Sequence, residues 1–372
     1  MKVLITGSDG FLAKNLISQL KTIDKIELYL FSKNNSPDTL EAHLKEVDFI
    51  FHLAGVNRPK TKTEFITGNI NLTKSIVDIL TKYRKKTPLL FSSSIQADLD
   101  NEYGKSKKEA EKIIQDYSNL AGVNVFIYRL PNIFGKWARP NYNSVIATWC
   151  SNIANNKSIE IDDENSKLAL VYIDDVVKSF IKKIFVKDSF RNKDYKFYDV
   201  KNIYLKTLKE IKNLLFSFRE NRISLVIPDV GSGFERALYA TYLSYLPIDN
   251  FSYDLKGHND HRGSFYEIIK TLNSGQFSVS TTAPGISRGD HFHHTKNEKF
   301  LVVKGEALIE YRNIISNEKI AYNVNNKKMK VFEMIPGYTH KITNVGNEEM
   351  ILFLWANECY DENNPDTFPL EV

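Results

Sequence analysis

The most informative stretch in the first part of this chain is Val3-Leu4-Ile5-Thr6-Gly7-Ser8-Asp9-Gly10-Phe11-Leu12-Ala13. It predicts a strand, a glycine turn and the beginning of a helix. Gly7 permits the tight turn, Gly10 lets the backbone approach a pyrophosphate, and the small Ala13 lets the helix close on the strand. The positive N-terminus of that helix would hold the phosphates. The segment therefore predicts a dinucleotide-binding site at Gly7 and Gly10.

Short apolar runs alternate with helical stretches through the first two-thirds of the chain. The candidate strands are Lys2–Thr6, Ile26–Phe31, Phe49–Leu53, Leu89–Ser92 and Val125–Arg129. Helices are predicted between them, for example over Phe65–Tyr83 and Lys105–Ala121. The strands are rich in Val, Ile, Leu and Phe, as expected when both faces of a sheet are covered. This rhythm predicts an α/β fold with a Rossmann-like, doubly wound parallel sheet.

The pattern changes near the end of the chain to β-rich runs separated by Gly, Pro and Asn turns. These runs are Phe300–Val303, Ala307–Tyr311, Lys330–Met334 and Met350–Trp355. Such a rhythm predicts an all-β barrel or jelly roll. The turn Pro247-Ile248-Asp249-Asn250 follows a predicted helix over Glu235–Tyr245. We therefore predict one domain over residues 1–246 and a second over residues 247–372.

Composition and charge exclude several classes of protein. The 372 residues are 42% hydrophobic and 26% charged, an ordinary globular balance. The net charge of +5 comes without a basic stripe, so neither nucleic acid nor a membrane surface is an expected partner. The first residues lack the layout of a secretory signal, and no apolar run reaches the roughly 18–20 residues of a membrane span. Two cysteines, Cys150 and Cys359, cannot build a disulfide framework, which favours a cytoplasmic location.

The residues after the second strand bear on the choice of cofactor. The run Leu30-Phe31-Ser32-Lys33-Asn34 has a hydroxyl and a cation where a site for NAD usually has an acid. It favours NADPH, with Lys33 near the 2′-phosphate. The alternative interpretation is a solvated loop lysine.

A serine run and a Tyr-x-x-x-Lys pair predict the chemistry of this domain. Ser94 ends a predicted strand, and Tyr103 and Lys107 share one face of the next helix. The ammonium group is expected to lower the pKa of the phenol. Tyr103 could then exchange a proton with a carbinol oxygen while a nicotinamide carries the hydride.

With these motifs, the first 230 or so residues resemble the extended short-chain dehydrogenase/reductase family. Three further stretches add to the match: His52-Leu53-Ala54-Gly55, Arg129-Leu130-Pro131-Asn132-Ile133-Phe134-Gly135 and Val171-Tyr172-Ile173-Asp174-Asp175-Val176. Members of that family mostly act on nucleotide-activated sugars. The resemblance implies that Ser94 and Tyr103 bind and protonate the substrate oxygen, whereas Lys107 holds the cofactor ribose. It also implies binding residues for the cofactor at Phe11, Leu12, Leu53, Ala54, Gly55, Tyr103 and Lys107, and for the substrate at Asn132.

Two positions near this motif are interpreted differently. Sugar 4,6-dehydratases of the family have an Asp-Glu pair directly after the catalytic hydroxyl. Here Ile95-Gln96 follows Ser94, which argues against dehydration. His52 is interpreted as a structural histidine at a strand end.

Six of the eight histidines lie in the C-terminal third, where four residues have the spacing of a metal site. His291 and His293 would face the same side of a strand, Glu298 would return on a neighbouring strand, and His340 would come from a distant one. Three imidazoles and a carboxylate suit zinc or another divalent transition metal. The metal could act as a Lewis acid or could only hold the domain together.

This region resembles the cupin family. The first cupin motif runs from Gly285 to Gly305, and the second is imperfect because Ile335 replaces a proline. The run Asp260-His261-Arg262-Gly263 resembles cupin-type nucleotide-sugar epimerases and implies that Arg262 contacts the nucleotide phosphates. A surface arginine beside a bulge glycine is the alternative. The epimerase base stays open among three candidates, which are His294, Lys296 and Tyr338.

A reductase followed by a cupin over the full length resembles bifunctional, homodimeric enzymes of capsular polysaccharide biosynthesis. The resemblance implies C3 epimerisation of a UDP-4-keto-6-deoxy-N-acetylhexosamine by the cupin. The Rossmann domain would then reduce C4 with NADPH, giving UDP-N-acetyl-6-deoxy-L-talosamine on the route to UDP-N-acetyl-L-fucosamine. Epimerisation must come first, because only the C4 carbonyl can stabilise the enolate. The alternatives are a 4-ketoreductase whose metal-stabilised cupin serves dimerisation, and a redox sensor without turnover.

Overall fold

The computed structural model describes residues 1–59, 61, 63–186 and 197–372. They separate into two compact units. The first comprises Met1–Leu215 and Ser232–Pro247, and the second comprises Phe216–Gly231 and Ile248–Val372. The segment Phe216–Gly231 thus lies in the second unit, although it precedes the domain boundary that the sequence predicts.

Nine strands lie in the first unit. They are β1 (Lys2–Thr6), β2 (Glu27–Phe31), β3 (Phe49–His52), β4 (Leu89–Ser94), β5 (Val125–Leu130), β6 (Asn132–Phe134), β7 (Lys167–Tyr172), β8 (Phe197–Tyr198) and β9 (Ile203–Thr207) among the residues described. Six of them form a parallel sheet in the order β2-β1-β3-β4-β5-β8. A smaller sheet has the order β6-β7-β9. The parallel Rossmann-like sheet predicted from the sequence is confirmed.

The helices follow the strands in the expected alternation, and the eighth extends from the first unit into the second. They are α1 (Phe11–Leu20), α2 (Pro37–Glu46), α3 (Thr63–Phe65), α4 (Leu72–Lys82), α5 (Glu102–Ala121), α6 (Val145–Ala154), α7 (Ile173–Ile184), α8 (Leu208–Ser224) and α9 (Gly233–Leu243). A π-helical turn, Ile66–Asn71, joins α3 to α4, so the predicted helix over Phe65–Tyr83 changes its winding near its start. Helix α5 begins three residues earlier than predicted and carries both Tyr103 and Lys107.

Helices cover both faces of the parallel sheet. Val3 and Ile5 of β1 pack in one buried cluster with residues of α1 and α7. Leu4, between them, packs in a second cluster with residues of α2, α4 and α5. Because successive strand residues point to opposite faces, a strand buried on both sides needs an unbroken apolar run. This requirement explains the run Val3-Leu4-Ile5.

The second unit is rich in strands. They are β10 (Val226–Ile227), β11 (Gly257–Asp260), β12 (Gly263–Thr271), β13 (Gln276–Thr282), β14 (Ser287–Phe292), β15 (Glu298–Lys304), β16 (Glu306–Asn313), β17 (Lys319–Asn325), β18 (Phe332–Met334), β19 (Tyr338–Asn344), β20 (Met350–Ala356) and β21 (Phe368–Pro369). One sheet has the order β10-β12-β13-β20-β15-β18 with β11 beside β12, and the other has the order β17-β16-β19-β14-β21. The all-β character of this region is confirmed.

Residues from both of these sheets form one buried cluster. Val302 and Leu352 come from the first sheet, and Ile309 and Ile342 come from the second. The predicted run Lys330–Met334 is paired only over Phe332–Met334. No helix in the described part of the chain is both long and apolar enough to cross a membrane.

Candidate functional site

The glycine turn after β1 has the geometry that a dinucleotide site needs. Gly7 has a φ of +69°, and a Cβ there would lie 2.7 Å from the Cα of Ala54. The N–H of Gly10 donates to the Gly7 carbonyl at 2.8 Å, and α1 begins at Phe11. Gly10 precedes the first turn of α1 and has no side chain that could accept from its N–H groups. These N–H groups are therefore available to an anion.

The end of β3 is held against β1 by a buried histidine. The Oγ1 of Thr6 lies 2.8 Å from the Nδ1 of His52, and the opposite ring nitrogen lies 2.9 Å from the Oγ1 of Thr73. Burial lowers the pKa of His52 to about 3, with a smaller contribution from Lys107. His52 is therefore neutral and holds two elements together, which agrees with its structural interpretation.

The structure brings Ser94, Tyr103 and Lys107 together where β4 ends and α5 begins. The side chain of Ser94 lies close enough to the Tyr103 hydroxyl to act on its pKa, which it lowers. The Nζ of Lys107 donates to the Ser92 carbonyl at 3.0 Å. Burial lowers the pKa of Lys107 to about 8 and raises the pKa of Tyr103. The expected lowering of the tyrosine pKa is therefore wrong for the chain alone, because burial outweighs the contact with Ser94.

Gly55, which the resemblance assigns to cofactor binding, lies close to the same lysine. A Cβ at Gly55 would lie 3.0 Å from the Nζ of Lys107 and 3.2 Å from the Oδ1 of Asn69. Asn69, on the π-helical turn, accepts from the Val56 N–H at 2.7 Å and donates to the Ser106 hydroxyl at 2.9 Å. The sequence analysis missed Asn69, since nothing in the sequence distinguishes it from other helical asparagines.

A buried ion pair behind the serine run was also missed. Glu111 is one turn after Lys107 on α5, and its carboxylate accepts from Arg129 at 3.0 and 2.7 Å. It also accepts from the hydroxyl of Ser93. The pair supports the end of β4. Its signal in the sequence is only a carboxylate at helical spacing from the lysine.

Two residues of the first unit that are predicted to contact a ligand, one the cofactor and one the substrate, are exposed. Lys33 is exposed after β2, and Asn132 is exposed at the start of β6. The turn after β1 is tied to the end of β2, because the Ser8 N–H donates to the Phe31 carbonyl at 3.2 Å. The contacts of Lys33 with a 2′-phosphate and of Asn132 with a substrate stay predictions.

In the second unit, the structure brings the four predicted metal ligands together. One ligand atom from each of His291, His293, Glu298 and His340 can be chosen so that all lie within 4.8 Å of one another. His291 pairs with His340 across β14 and β19, at a bulge that begins at Gly289. Glu298 is the first residue of β15.

Unpaired ring nitrogens in this cluster fit a metal site. The Nε2 of His293 and both ring nitrogens of His340 are buried without a hydrogen-bond partner in the part of the chain described. The Nδ1 of His293 instead lies 2.6 Å from the Asp366 carbonyl, so the Nδ1–H donates and Nε2 keeps its lone pair. The Oε2 of Glu298 lies 3.5 Å from this Nε2 and 3.6 Å from that of His340.

The charge states in the cluster suit a divalent cation. Burial, together with the neighbouring imidazoles, lowers the pKa of His291 to about 4. Burial raises the pKa of Glu298, but its contacts with His293 and His340 outweigh burial and lower the pKa overall. A neutral imidazole and an ionised carboxylate are the forms that bind metals. The residues present therefore fit zinc or a similar ion.

A cavity of about 700 Å³ opens beside this cluster, and Glu298 is among the residues that line it. Arg262 and Arg288 both line it, and Arg262 pairs with Asp260 at 2.6 Å. The sequence analysis missed Arg288. Its Nε donates to the Thr282 hydroxyl at 3.2 Å, so the guanidinium is fixed in place. Two such cations could bind the phosphates of a nucleotide.

Of the three candidates for the epimerase base, one lines this cavity and two do not. Lys296 lines it. Tyr338 lines a different cavity, beside Tyr311. His294 is exposed, and its ring lies 4.7 Å from the ring of Phe368.

Each of the two units matches a known protein family. Residues 3–195 match the NAD dependent epimerase/dehydratase family, and residues 258–368 match the polysaccharide biosynthesis C-terminal domain. The chain is 47% identical to a UDP-2-acetamido-2,6-beta-L-arabino-hexul-4-ose reductase from Pseudomonas aeruginosa, over 100% of this chain and 99% of that protein.

Solved structures extend the comparison. A crystal structure of the capsular polysaccharide assembling protein CapF from Staphylococcus aureus has a TM-score of 0.93 at 45% identity, with 100% of both chains covered. UDP-glucuronic acid 4-epimerase from Bacillus cereus shares the fold alone, with a TM-score of 0.54 at 16% identity over 66% of this chain and 98% of that one. Because one family matches more than half of the chain and a relative at 47% identity spans its length, the chain belongs to the NAD dependent epimerase/dehydratase family.

Proposed function

We propose that the chain is a bifunctional nucleotide-sugar enzyme of surface polysaccharide biosynthesis. The second unit would epimerise C3 of a UDP-4-keto-6-deoxy-N-acetylhexosamine. The first unit would then reduce C4 to give UDP-N-acetyl-6-deoxy-L-talosamine. The observation that supports the proposal is that predicted site residues cluster separately in each unit: Ser94, Tyr103 and Lys107 in the first, and the four predicted metal ligands in the second. The full-length reductase relative from Pseudomonas aeruginosa supports the substrate class.

In the reduction, residues of the first unit would bind the cofactor ribose, orient the C4 oxygen of the substrate and protonate it. NADPH, when bound, supplies a hydride to C4. The hydroxyl of Tyr103 gives its proton to the oxygen that was the C4 carbonyl, and Ser94 orients that oxygen. Lys107 is mostly protonated at pH 7, because its pKa is about 8, and it would donate to the cofactor ribose.

In the epimerisation, one proton leaves C3 and another returns on the opposite face. The electron pair released at C3 is held as the enolate of the C4 carbonyl. Arg262 and Arg288 would hold the diphosphate at the cavity, and the base stays open among His294, Lys296 and Tyr338. His291, His293, Glu298 and His340 would hold a zinc ion. A zinc ion there would supply either positive charge for the enolate or a cross-link between strands.

Deuterium exchange separates this proposal from a reductase with a non-catalytic C-terminal unit. The 4-keto substrate is incubated with the protein in D2O without NADPH, and NMR follows C3. Deuterium should enter at C3 in the wild type and in a Tyr103→Phe variant, whereas only the wild type should oxidise NADPH rapidly. No deuterium at C3 would exclude the epimerase. Undiminished NADPH oxidation by Tyr103→Phe would exclude the role of Tyr103.

We also propose that the chain is a cytoplasmic homodimer whose two C-terminal sheets close into a cupin jelly roll. Both cysteines are free, Cys150 being buried, which suits a reducing compartment. Light scattering tests the oligomeric state. A mass of one chain across micromolar concentrations would exclude the dimer.

A further inference from the structure

A short segment near the C-terminus binds the loop between two predicted metal ligands. The carboxylate of Asp366 accepts from the backbone N–H groups of His294, Thr295 and Lys296 at 3.0, 2.8 and 2.7 Å. It also accepts from the hydroxyl of Thr295 at 3.0 Å. Three successive N–H groups on one carboxylate fix the backbone of this loop, which lies between His293 and Glu298.

The main chain of the same residue reaches the metal cluster itself. The Asp366 carbonyl lies 2.6 Å from the Nδ1 of His293, and Nε2 of this ring faces Glu298. A carbonyl at this nitrogen can only accept, so the ring proton is held on Nδ1. Nε2 therefore keeps the lone pair that a metal needs.

The neighbours of Asp366 hold the rest of the loop. The Nζ of Lys296 donates to the Pro365 carbonyl and to the Thr367 hydroxyl, both at 2.7 Å. Lys296 is only 6% exposed, so these contacts take up a buried cation. The loop is thus attached to the segment Pro365–Thr367 through its backbone and through a long side chain.

We propose that Asp366 is a positioning residue for the metal site. It acts through His293: the carboxylate fixes the loop, and the fixed loop holds the imidazole on the Asp366 carbonyl with Nε2 directed at the metal. The inference rests on the proposed metal site. Partners of this kind typically contribute about 10–100-fold to metal affinity. Asp366→Ala should therefore weaken zinc binding by about that factor without removing any ligand.

The experiment is a competition between the full-length protein and a chromogenic chelator for zinc. Asp361→Ala is the matched control, because it is an exposed aspartate in the same C-terminal segment whose side chain accepts only from Asn363 among the residues described. Asp366→Asn is the second variant. Asp366 has a φ of +40°, which asparagine tolerates, and one amide oxygen can keep part of the contacts. Zinc affinity should fall in the order wild type, Asp366→Asn, Asp366→Ala, with Asp361→Ala equal to wild type.

The absorption spectrum of bound Co²⁺ adds a readout that loop stability alone would not change. A shifted ligand-field band in Asp366→Ala, and a smaller shift in Asp366→Asn, would report an altered imidazole ligand. Thermal unfolding of the metal-free protein checks that the second unit of each variant is folded. Wild-type affinity and spectrum in Asp366→Ala would overturn the positioning role and leave the metal site standing. A wild-type protein that does not bind zinc would overturn both.

Discussion

Replacing Lys107 with methionine should stabilise the cofactor-free chain while it removes the reductase activity. Lys107 is only 4% exposed on α5, and its Nζ donates to the Ser92 carbonyl at 3.0 Å. Burial lowers its pKa from 10.5 to about 8, since the charged form loses hydration. The folded chain therefore carries a cation that would be more stable in the unfolded state.

The pKa shift gives the size and the pH dependence of the effect. At about 1.4 kcal/mol for each pKa unit, the shift corresponds to about 3 kcal/mol of folding free energy at pH 7. Methionine leaves the Ser92 carbonyl without its donor, which costs about 1 kcal/mol, so the net gain is about 2 kcal/mol. Between about pH 8 and 10.5 the unfolded chain binds the proton that the folded chain has released. Wild-type stability therefore rises with pH there, and the advantage of the variant should fall to about 1 kcal/mol at pH 9.

Thermal unfolding without cofactor measures both effects. For a unit of this size, 2 kcal/mol corresponds to a rise in Tm of about 4–8 °C. Lys105→Met is the control, because Lys105 lies on the same helix and makes only an exposed ion pair with Asp100 among the described residues. Its substitution should change stability by less than about 0.5 kcal/mol. A lower Tm for Lys107→Met, or an advantage that does not shrink between pH 7 and pH 9, would refute the reasoning.

Three further substitutions or treatments test other parts of the molecule. Gly7→Ala should abolish NADPH binding and lower the Tm, because its Cβ would lie 2.7 Å from Ala54 at a φ of +69°; unchanged cofactor titrations would contradict this. Lys33→Ala should weaken NADPH binding about tenfold, as expected for a hydrogen bond to a charged group, and leave NADH binding unchanged. Equal effects on both cofactors would exclude a 2′-phosphate contact. A strong chelator should lower the Tm of the second unit, and added zinc should restore it, because ligand binding stabilises the folded state. An unchanged Tm in the presence of the chelator would argue against a bound metal.

Local patterns predicted much of the fold and many of the candidate residues. A parallel strand covered on both faces must be apolar throughout, so the run Val3-Leu4-Ile5 alone predicts a buried strand, without knowledge of the strands that pair with it. Helical spacing alone places Tyr103 and Lys107 on one face of α5. To predict that His291, His293 and Glu298 lie together, it was enough that side chains alternate along a strand and that the next strand runs back beside it. The roles of these residues stay predictions, although the structure brings them together.

What the sequence could not predict depends on burial and on contacts between distant segments. The pKa of Tyr103 is raised because burial outweighs the opposing effect of Ser94, and burial is a property of the packed chain.

Local periodicity or short spacing is enough to predict the parallel sheet, the glycine turn and three of the predicted metal ligands, His291, His293 and Glu298. His340 lies 42 residues beyond Glu298 and depends on a distant strand. The groups that support these residues become visible only once the chain is packed. Asp366 contacts His293 across 73 residues, and Arg129 of β5 contacts Glu111 of α5. Such contacts depend on how distant segments pack, which no local pattern encodes.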